Sequence, residues 1–244
     1  MVEKKEILLP SAQRLLSSLP HTLPTSSPPT VESLKTRLIR NNPWPSPKTS
    51  FTPPSPPPTF YWFNEPARYQ LGAGLEIFTG EKTDFWQSTH YGFQRDNGHC
   101  LFTRQTGDFS LMTHVEFRPQ EQYDQCGLMV RVDRKNWIKV STEYENEEHS
   151  RLGSVVTNLG YSDWATQDIS SSHSEMGYRI SKNGRDFLLE GSYDGQTWLQ
   201  LRITHLHKVS ERLEVGIYAC SPIGKDFWCR FTVLEISENE WKGE

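Results

Sequence analysis

The amino-acid sequence predicts an all-β fold, a sandwich of antiparallel strands preceded by a proline-rich arm. First, the chain from Phe60 onward is rich in aromatic and β-branched residues, with turn signals at short intervals. Second, apolar and polar residues alternate in several stretches with the period of two that a half-buried strand shows. Third, most of the 16 prolines lie in residues 1–59, where the composition is typical of an extended linker.

The strongest strand signal is a hairpin within residues 123–144. Apolar side chains alternate through residues 128–132, a polar turn follows at 133–136, and the alternation resumes through residues 137–143. This arrangement predicts two antiparallel strands with one buried face. If the apolar set faces the core, the opposite face combines fixed charge, aromatic surface and a carboxylate, which suits a polar ligand. That face carries Arg131, Trp137, Lys139 and Glu143.

Further strands are predicted after this hairpin. The Asn-Gly and Asp-Gly dipeptides at 183–184 and 194–195 tolerate the positive φ angles of tight turns. Residues 178–203 are therefore predicted to form a three-stranded meander. Residues 212–219 alternate as a strand, and residues 227–236 form a last strand-like run.

The chain divides into three regions. Residues 1–59 form the proline-rich arm, residues 60–237 the β-sandwich domain and residues 238–244 an acidic tail. Within the arm, two segments at 11–19 and 31–40 have short helical patterns, and isolated helices of this length are barely stable in water. Two interpretations of these helices stay open, a marginally ordered leader and a segment that docks on the domain or on a partner.

Charge and hydropathy exclude some function classes. The 26 basic and 30 acidic residues give a formal net charge of −4 without a basic stripe, so neither nucleic acid nor an anionic membrane is an expected partner. The apolar patch near the N-terminus is too short for a signal-peptide core, and we expect a cytoplasmic protein. In that compartment the cysteines are predicted to be reduced thiols packed as small apolar groups. They are Cys100, Cys126, Cys220 and Cys229.

Several motifs together resemble one protein family. They are FWQSTHYGF at 85–93, Gly98-His99, the hairpin at 123–144, VVTNLGYSDW at 155–164 and the SYDGQTW turn of the meander. In this combination the chain resembles the regulation-of-enolase protein family, a domain of unknown function in the concanavalin A-like lectin and glucanase superfamily. The resemblance implies a jelly roll of two antiparallel sheets, one of them concave, similar to many glycan-binding modules. It implies little about chemistry, because one fold hosts many functions.

The candidate site is a ligand-binding surface on that concave sheet. Cationic side chains can bind anionic or hydroxyl oxygens, amide and carboxylate groups complete the hydrogen bonds, and tryptophans offer stacking surfaces. The expected ligand is a carbohydrate or a sugar phosphate, bound without catalysis and without a cofactor. The predicted ligand-binding residues are Trp86, His90, His99, Asp124, Gln125, Arg131, Trp137, Lys139, Glu143, Asp163 and Trp164.

Plainer interpretations accompany several of these residues. The charged face of the hairpin is equally typical of cross-strand ion pairs in solvent. Residues 161–164 are predicted to form a loop, in which Asp163 and Trp164 either reach a ligand or form a turn and pack on the core. His90 and His99 could pair across a hairpin, but no third ligand lies at a recognisable metal spacing. No metal site is therefore predicted.

Two other function classes stay open. Glu143, Glu145 and Glu148 resemble the E-x-D-x-x-E signature of jelly-roll β-glucanases. The middle acid is glutamate rather than aspartate, however, and residues 146–147 are polar, so a solvated turn is predicted there instead. The other class is a regulatory module that binds a metabolic enzyme, with the proline-rich arm as an extra docking segment.

Overall fold

The computed structural model describes residues 59–241 of the chain. The helices predicted at 11–19 and 31–40 lie outside these residues. The all-β prediction is confirmed for the described part. Its strands are β1 (Tyr61–Phe63), β2 (Arg68–Leu71), β3 (Leu75–Phe78), β4 (Phe85–Gln87), β5 (Gln94–Asp96), β6 (His99–Thr106), β7 (Phe109–Arg118), β8 (Gln125–Asp133), β9 (Asn136–Tyr144), β10 (His149–Asn158), β11 (Tyr161–Ser170), β12 (Glu175–Asn183), β13 (Asp186–Ser192), β14 (Leu199–His205), β15 (Arg212–Cys220) and β16 (Trp228–Ser237).

Two seven-stranded antiparallel sheets pack face to face. The first, which we call the pocket sheet, has the strand order β1-β6-β15-β8-β9-β10-β11, and the second, the back sheet, has the order β14-β13-β12-β7-β16-β3-β2. Their facing sides bury one apolar core, to which Leu128 and Ile138 contribute from the pocket sheet and Leu111 and Ile180 from the back sheet. The sandwich predicted from the sequence is therefore confirmed.

The predicted central hairpin is confirmed as β8 and β9. Leu128 pairs with Val140 and Val130 pairs with Ile138, and all four side chains lie in the core between the sheets. Successive side chains of a strand point to opposite faces, so Lys139 lies on the outer face of the pocket sheet. The outer face is therefore the one for which the alternation predicts charged and aromatic side chains.

The structure confirms one predicted turn region and corrects another. The meander forms as β12, β13 and β14, with Gly184 at a φ of 62° and Gly195 at 69°. The loop predicted at 161–164 is wrong, because these residues begin β11 and pair with β10. The turn falls instead on Leu159 and Gly160, with φ angles of 53° and 86°. A leucine rarely adopts positive φ, so its presence in a turn gives no sequence signal.

A short hairpin covers the outer face of the pocket sheet. We call this element, formed by β4 and β5, the covering hairpin. Phe85 of β4 is completely buried, with its ring centroid 6.2 Å from that of Trp137 and 6.3 Å from that of Tyr218. These rings belong to a second apolar cluster outside the sandwich core. An antiparallel sheet commonly leaves its outer face to solvent. Here the covering hairpin shields part of that face and buries a second apolar layer against it.

The four cysteines are free and buried, as the sequence predicts. Burial raises the pKa of the thiols of Cys100, Cys126 and Cys220 well above the ordinary value, which keeps them protonated and unreactive. They pack as small apolar groups on the two faces of the pocket sheet. Within residues 59–241, no helix has the length and apolar character needed to cross a membrane.

Candidate functional site

A cavity of about 240 Å³ opens where the covering hairpin meets the outer face of the pocket sheet. Pockets for drug-sized ligands start at roughly 300 Å³, so this cavity fits a small ligand. We call it the sheet pocket. It is lined by Asp84, Trp86, Tyr91, Phe93, Arg95, Tyr123, Gln125, Lys139, Glu143, Val155, Trp164, Pro222 and Ile223.

Gln125 organises the floor of the sheet pocket. Its Nε2 donates hydrogen bonds to Oε2 of Glu143 at 2.7 Å and to the carbonyl of Tyr123 at 3.1 Å. Its Oε1 accepts from Nζ of Lys139 at 2.8 Å and from the hydroxyl of Tyr218 at 3.0 Å. Every donor and acceptor position of this buried amide is used, so the network holds Glu143 and Lys139 in place.

Lys139 joins the floor to the covering hairpin. Its Nζ donates a hydrogen bond to the carbonyl of Phe85 at 3.1 Å and lies 3.7 Å from Oδ1 of Asp84. Only 3% of the lysine side chain is exposed, so its charge is balanced by groups of the site rather than by water. Oδ1 of Asp84 also accepts the N–H of Phe85 at 2.7 Å, which fixes the carboxylate at the pocket edge.

Glu143, near the end of β9, titrates close to neutral pH. Burial raises its pKa from 4.5 to about 7, Asp84 and Glu145 add to the shift, and Lys139 and Arg151 oppose it. Gln125 holds Oε2, whereas Oε1 has no hydrogen-bond partner among the described residues. The sheet pocket therefore contains a carboxyl group that can change its charge near pH 7 and has one oxygen available to a ligand.

Aromatic rings form the walls of the sheet pocket. Trp86 and Tyr91 meet edge to face with centroids 5.5 Å apart, and Tyr91 stacks on Phe93 at 5.6 Å. Tyr91 is 54% exposed and Phe93 is 41% exposed, so both offer surface to a ligand. Trp164 of β11 contributes a partly exposed ring elsewhere in the lining.

The tip of the covering hairpin places two of these rings on the rim. Ser88, His90 and Gly92 have φ angles of 58°, 61° and 72°. The N–H of Ser88 donates to the carbonyl of Phe93, and the N–H of Gly92 donates to the carbonyl of Ser88, each at 3.0 Å. These alternating bends close a tight loop and present Tyr91 and Phe93 at the mouth of the pocket.

The structure brings five of the predicted ligand-binding residues to the sheet pocket. The floor takes its members from β8 and β9, where Gln125 and Glu143 are direct cross-strand partners. Their role in ligand binding stays a prediction. The five residues are Trp86, Gln125, Lys139, Glu143 and Trp164.

Arg131 and Trp137 lie on the same outer face but outside the pocket lining. Arg131 donates a hydrogen bond to Oδ2 of Asp96 at 3.0 Å and lies 3.6 Å from Oε2 of Glu214, so it fastens the covering hairpin to the sheet. Trp137 is completely buried, and its indole N–H donates to the carbonyl of Arg134. The stacking role expected of Trp137 is corrected for this reason: no ring face is open to a ligand.

The two histidines do not pair with each other. Nδ1 of His99 lies 2.5 Å from the carbonyl of Asn64, and its Nε2 accepts the N–H of Gly80 at 2.8 Å. These bonds require the neutral ring with its proton on Nδ1, and burial lowers the pKa of His99. His90 is exposed at the hairpin tip, with its ring 4.7 Å from that of Tyr91.

The two predicted aspartates also have partners within the fold. Oδ2 of Asp124 accepts the N–H groups of Gln120 and Glu121 at 2.8 and 3.0 Å, which closes the turn before β8. Asp163 is exposed and forms an ion pair with Arg202 at 2.8 Å. Neither carboxylate lines the sheet pocket.

The end of the acidic run, after β9, forms the solvated turn that the sequence predicts, whereas Glu143 itself lies in β9. Of the three candidate acids only Glu143 lines the sheet pocket. Glu145 pairs with Arg151 and accepts a hydrogen bond from Gln122 at 2.7 Å, and Glu148 is exposed. Among the residues that the structure describes, no group of three or more His, Cys, Asp or Glu side chains is placed to hold a metal ion.

Sequence reasoning missed the other lining residues. Tyr91 and Phe93 belong to the FWQSTHYGF motif, Tyr123 begins the hairpin stretch and Val155 begins VVTNLGYSDW, so the motifs contained a usable signal. The other four residues lie outside these motifs, and only the fold brings them to the pocket. The missed residues are Asp84, Tyr91, Phe93, Arg95, Tyr123, Val155, Pro222 and Ile223.

Solved structures share this architecture. A protein from Saccharomyces cerevisiae described as functionally unknown is 32% identical, with a TM-score of 0.69 over 73% of this chain and 96% of that chain. A GH43 protein from Bacillus licheniformis is 15% identical, with a TM-score of 0.59 over 73% of this chain and 36% of that chain. At this identity the second likeness concerns the fold alone, and it agrees with the concanavalin A-like sandwich predicted from the sequence.

Sequence comparison identifies the family. The curated protein "Regulation of enolase protein 1" of Saccharomyces cerevisiae is 35% identical over 162 residues, which cover 66% of this chain and 80% of the yeast protein. A family model described as "Protein of unknown function (DUF1349)" matches residues 62–239, almost the whole β-sandwich. The chain therefore belongs to this family of proteins of unknown function, as the sequence motifs predict.

Proposed function

We propose that the protein is a recognition module that binds a small polar ligand of the carbohydrate type in the sheet pocket, without catalysis. The observation that carries the proposal is Gln125, whose four hydrogen bonds hold Glu143 and Lys139 in position beneath aromatic walls. Fixed polar groups with open aromatic surface suit a sugar, because a sugar ring has apolar C–H faces for stacking and hydroxyl groups for hydrogen bonds.

The arrangement of the carboxylates supports binding rather than hydrolysis. A retaining glycosidase places two carboxyl groups about 5–5.5 Å apart on either side of the bond that is cleaved. Here Glu145 forms an ion pair with Arg151, and Asp84 forms an ion pair with Lys139. Glu143 therefore has no second acid beside it that is free of a cationic partner.

Isothermal titration calorimetry against a panel of monosaccharides and disaccharides tests the proposal. We expect saturable binding at one site, which Trp164→Ala weakens about tenfold because a stacking surface is lost. The matched control is Trp198→Ala, which removes another partly buried tryptophan, packed on Arg179 of the back sheet at 4.4 Å. This control should leave the affinity unchanged.

Three results would contradict the proposal. The first is the absence of saturable binding for the whole panel, and the second is an equal loss of affinity in both tryptophan variants. The third is turnover of aryl glycosides that disappears in Glu143→Gln, since that outcome assigns catalysis to the pocket. Circular dichroism of each variant checks that a loss of affinity does not reflect unfolding.

A second candidate function is regulation of a metabolic enzyme by direct contact. The yeast relative is named for regulation of enolase, and Tyr91, Phe93 and Ile223 form an exposed apolar rim around the pocket. Exposed apolar patches are typical of protein interfaces. Purified enolase and this protein should then form a complex in analytical ultracentrifugation, and Phe93→Asp should weaken it. Two independent sedimenting species would contradict this candidate.

A further inference from the structure

The floor of the sheet pocket presents free hydrogen-bond acceptors. Oε1 of Glu143 and Oδ2 of Asp84 have no hydrogen-bond partner among the described residues, whereas the second oxygen of each carboxylate is engaged by Gln125 and by the N–H of Phe85. Both carboxylates line the same cavity. A ligand that completes this floor must therefore donate hydrogen bonds to carboxylate oxygens.

The hydrogen-bond donors of the floor are already engaged. Both N–H bonds of the Gln125 amide are used, and Lys139 donates to Phe85 and Gln125 and faces Asp84. The indole N–H of Trp86 donates to the carbonyl of Thr89 at 3.0 Å. An acceptor-rich anion such as a phosphate would find few free donors at this depth and would face two carboxylates.

Neighbouring cationic side chains do not supply free hydrogen-bond donors to the floor of the pocket. Arg151 lies opposite Glu143 in the β9–β10 pairing, but its guanidinium is taken by Glu145 at 2.8 Å and faces Asp168 at 3.7 Å. Arg95 is exposed at the rim, with its guanidinium 5.8 Å from the ring of Phe93. At the floor of the pocket, carboxylate oxygens of Glu143 and Asp84 are therefore unengaged while the lysine is engaged, and the lining cation without an ion pair among the described residues, Arg95, lies at the rim.

We propose that the floor binds a protonated amine, so that the ligand of the sheet pocket is an amino sugar with a free ammonium group. The ammonium donates to Glu143 and Asp84, and the sugar ring lies against the aromatic walls. The ring faces of Trp86 and Tyr91 also attract a cation, whereas Trp164 already has the guanidinium of Arg151 5.6 Å from its ring centroid. This inference rests on the proposed function and specifies the class of sugar.

The charge of Glu143 links this binding to pH. Titratable and charged groups from every neighbouring element face Glu143. They are Asp84 before β4, Tyr123 before β8, Lys139 on its own strand, Glu145 in the following turn, Arg151 on β10, and Tyr218 and Cys220 on β15. An arriving ammonium favours the ionised form of Glu143. Affinity for an amino sugar should therefore rise as the pH rises towards 7, and affinity for a neutral sugar should change less.

Calorimetry with four matched probes tests the inference on the full chain. The probes are glucosamine, glucose, N-acetylglucosamine and glucose 6-phosphate. We expect glucosamine to bind at least about tenfold more tightly than the other three at pH 7, and its advantage to shrink about tenfold at about pH 5.5. The ratio of the glucosamine affinity to the glucose affinity is the quantity compared between variants.

Charge-removing variants locate the effect. Glu143→Gln and Asp84→Asn keep the side-chain shape and should each lower the ratio about tenfold. The control Glu147→Gln removes an exposed carboxylate from the turn after β9 and should leave the ratio unchanged. The pH comparison on the unmodified protein provides a second measurement should a variant fold poorly.

The outcomes separate this inference from the proposed function. Equal binding of glucosamine and glucose, or tighter binding of glucose 6-phosphate, would overturn the amine inference and leave carbohydrate recognition standing. A ratio that does not respond to Glu143→Gln or to pH would overturn it as well. Failure of every sugar probe to bind would overturn the proposed function and the inference together.

Discussion

The ammonium group of Lys139 on β9 donates a hydrogen bond of 3.1 Å to the backbone carbonyl of Phe85 in the covering hairpin. A central strand of the pocket sheet and the element that covers it are thereby joined at the floor of the sheet pocket. The same ammonium donates to Gln125 and faces Asp84. Because one buried group serves all three partners, the site and the packing of the covering hairpin depend on each other.

Lys139→Met should destabilise the protein. The substitution keeps an unbranched side chain but leaves the Phe85 carbonyl and Oε1 of Gln125 short of a donor and removes the cation beside Asp84. We expect the free energy of unfolding to fall by about 2–3 kcal/mol in urea denaturation. Lys135→Met, in the exposed turn between β8 and β9, should change it by less than about 0.5 kcal/mol. Equal effects of the two variants would contradict this role of Lys139.

Gly98→Ala should displace the covering hairpin. A Cβ atom at Gly98 would lie 2.3 Å from Cε2 of Phe85 and 2.4 Å from Sγ of Cys220, both completely buried. We expect a loss of stability of about 2 kcal/mol or more, since overpacking shifts side chains or backbone. Gly72→Ala is the matched control, because no atom lies within 4 Å of a Cβ built there. Urea denaturation of both variants checks this, and a neutral result for Gly98→Ala would show that Phe85 can shift freely.

Much of the fold could be predicted from local patterns. The β8–β9 hairpin is visible because polar and apolar residues alternate strictly on both sides of a polar turn, and the meander because Asn-Gly and Asp-Gly favour tight turns. The turn at Leu159 and Gly160 was missed because positive φ in a leucine depends on the pairing of β10 with β11. The local sequence alone does not predict a positive φ angle at the leucine.

Less of the candidate site could be predicted. The sequence predicts Lys139 and Glu143 because alternation places them on one face of a sheet, and Gln125 because it lies at the entry of the same hairpin. Arg131 shares that face, yet it forms an ion pair at 3.0 Å with Asp96 of the covering hairpin. The sequence does not predict that this hairpin packs on the sheet. Asp84 was missed for the same reason, since its place at the pocket exists only once the covering hairpin lies over the sheet.

His99 should remain neutral in mildly acidic solution, with its proton on Nδ1. Its two ring nitrogens are held by the Asn64 carbonyl and the Gly80 N–H, and burial lowers its pKa below the ordinary 6.5. Nitrogen-detected NMR of the ring at about pH 6 should show the Nδ1–H tautomer in the folded protein and the protonated ring in urea. A doubly protonated ring in the folded state would contradict the hydrogen-bond assignment.

Glu143 should make the protein less stable as the pH rises from about 4.5 to about 7. Burial raises its folded pKa from 4.5 to about 7, so over this window the folded state binds more protons than the unfolded chain. A raised carboxyl pKa contributes stability that is fully present below the unfolded pKa and is lost as the pH passes the folded pKa. The loss should be on the order of 2 kcal/mol, allowing for partial exposure of the side chain.

Glu143→Gln isolates this contribution, because glutamine has nearly the same shape, does not titrate and can still accept a hydrogen bond from Gln125. The stability difference between the two proteins, measured by urea denaturation at several pH values, subtracts the groups that titrate in both. The free energy of unfolding of the original protein should fall relative to that of the variant as the pH rises towards 7, and this difference should become constant above pH 7. A difference that is independent of pH, or one that grows in the original protein's favour as the pH rises, would show that Glu143 is not held in a desolvated site.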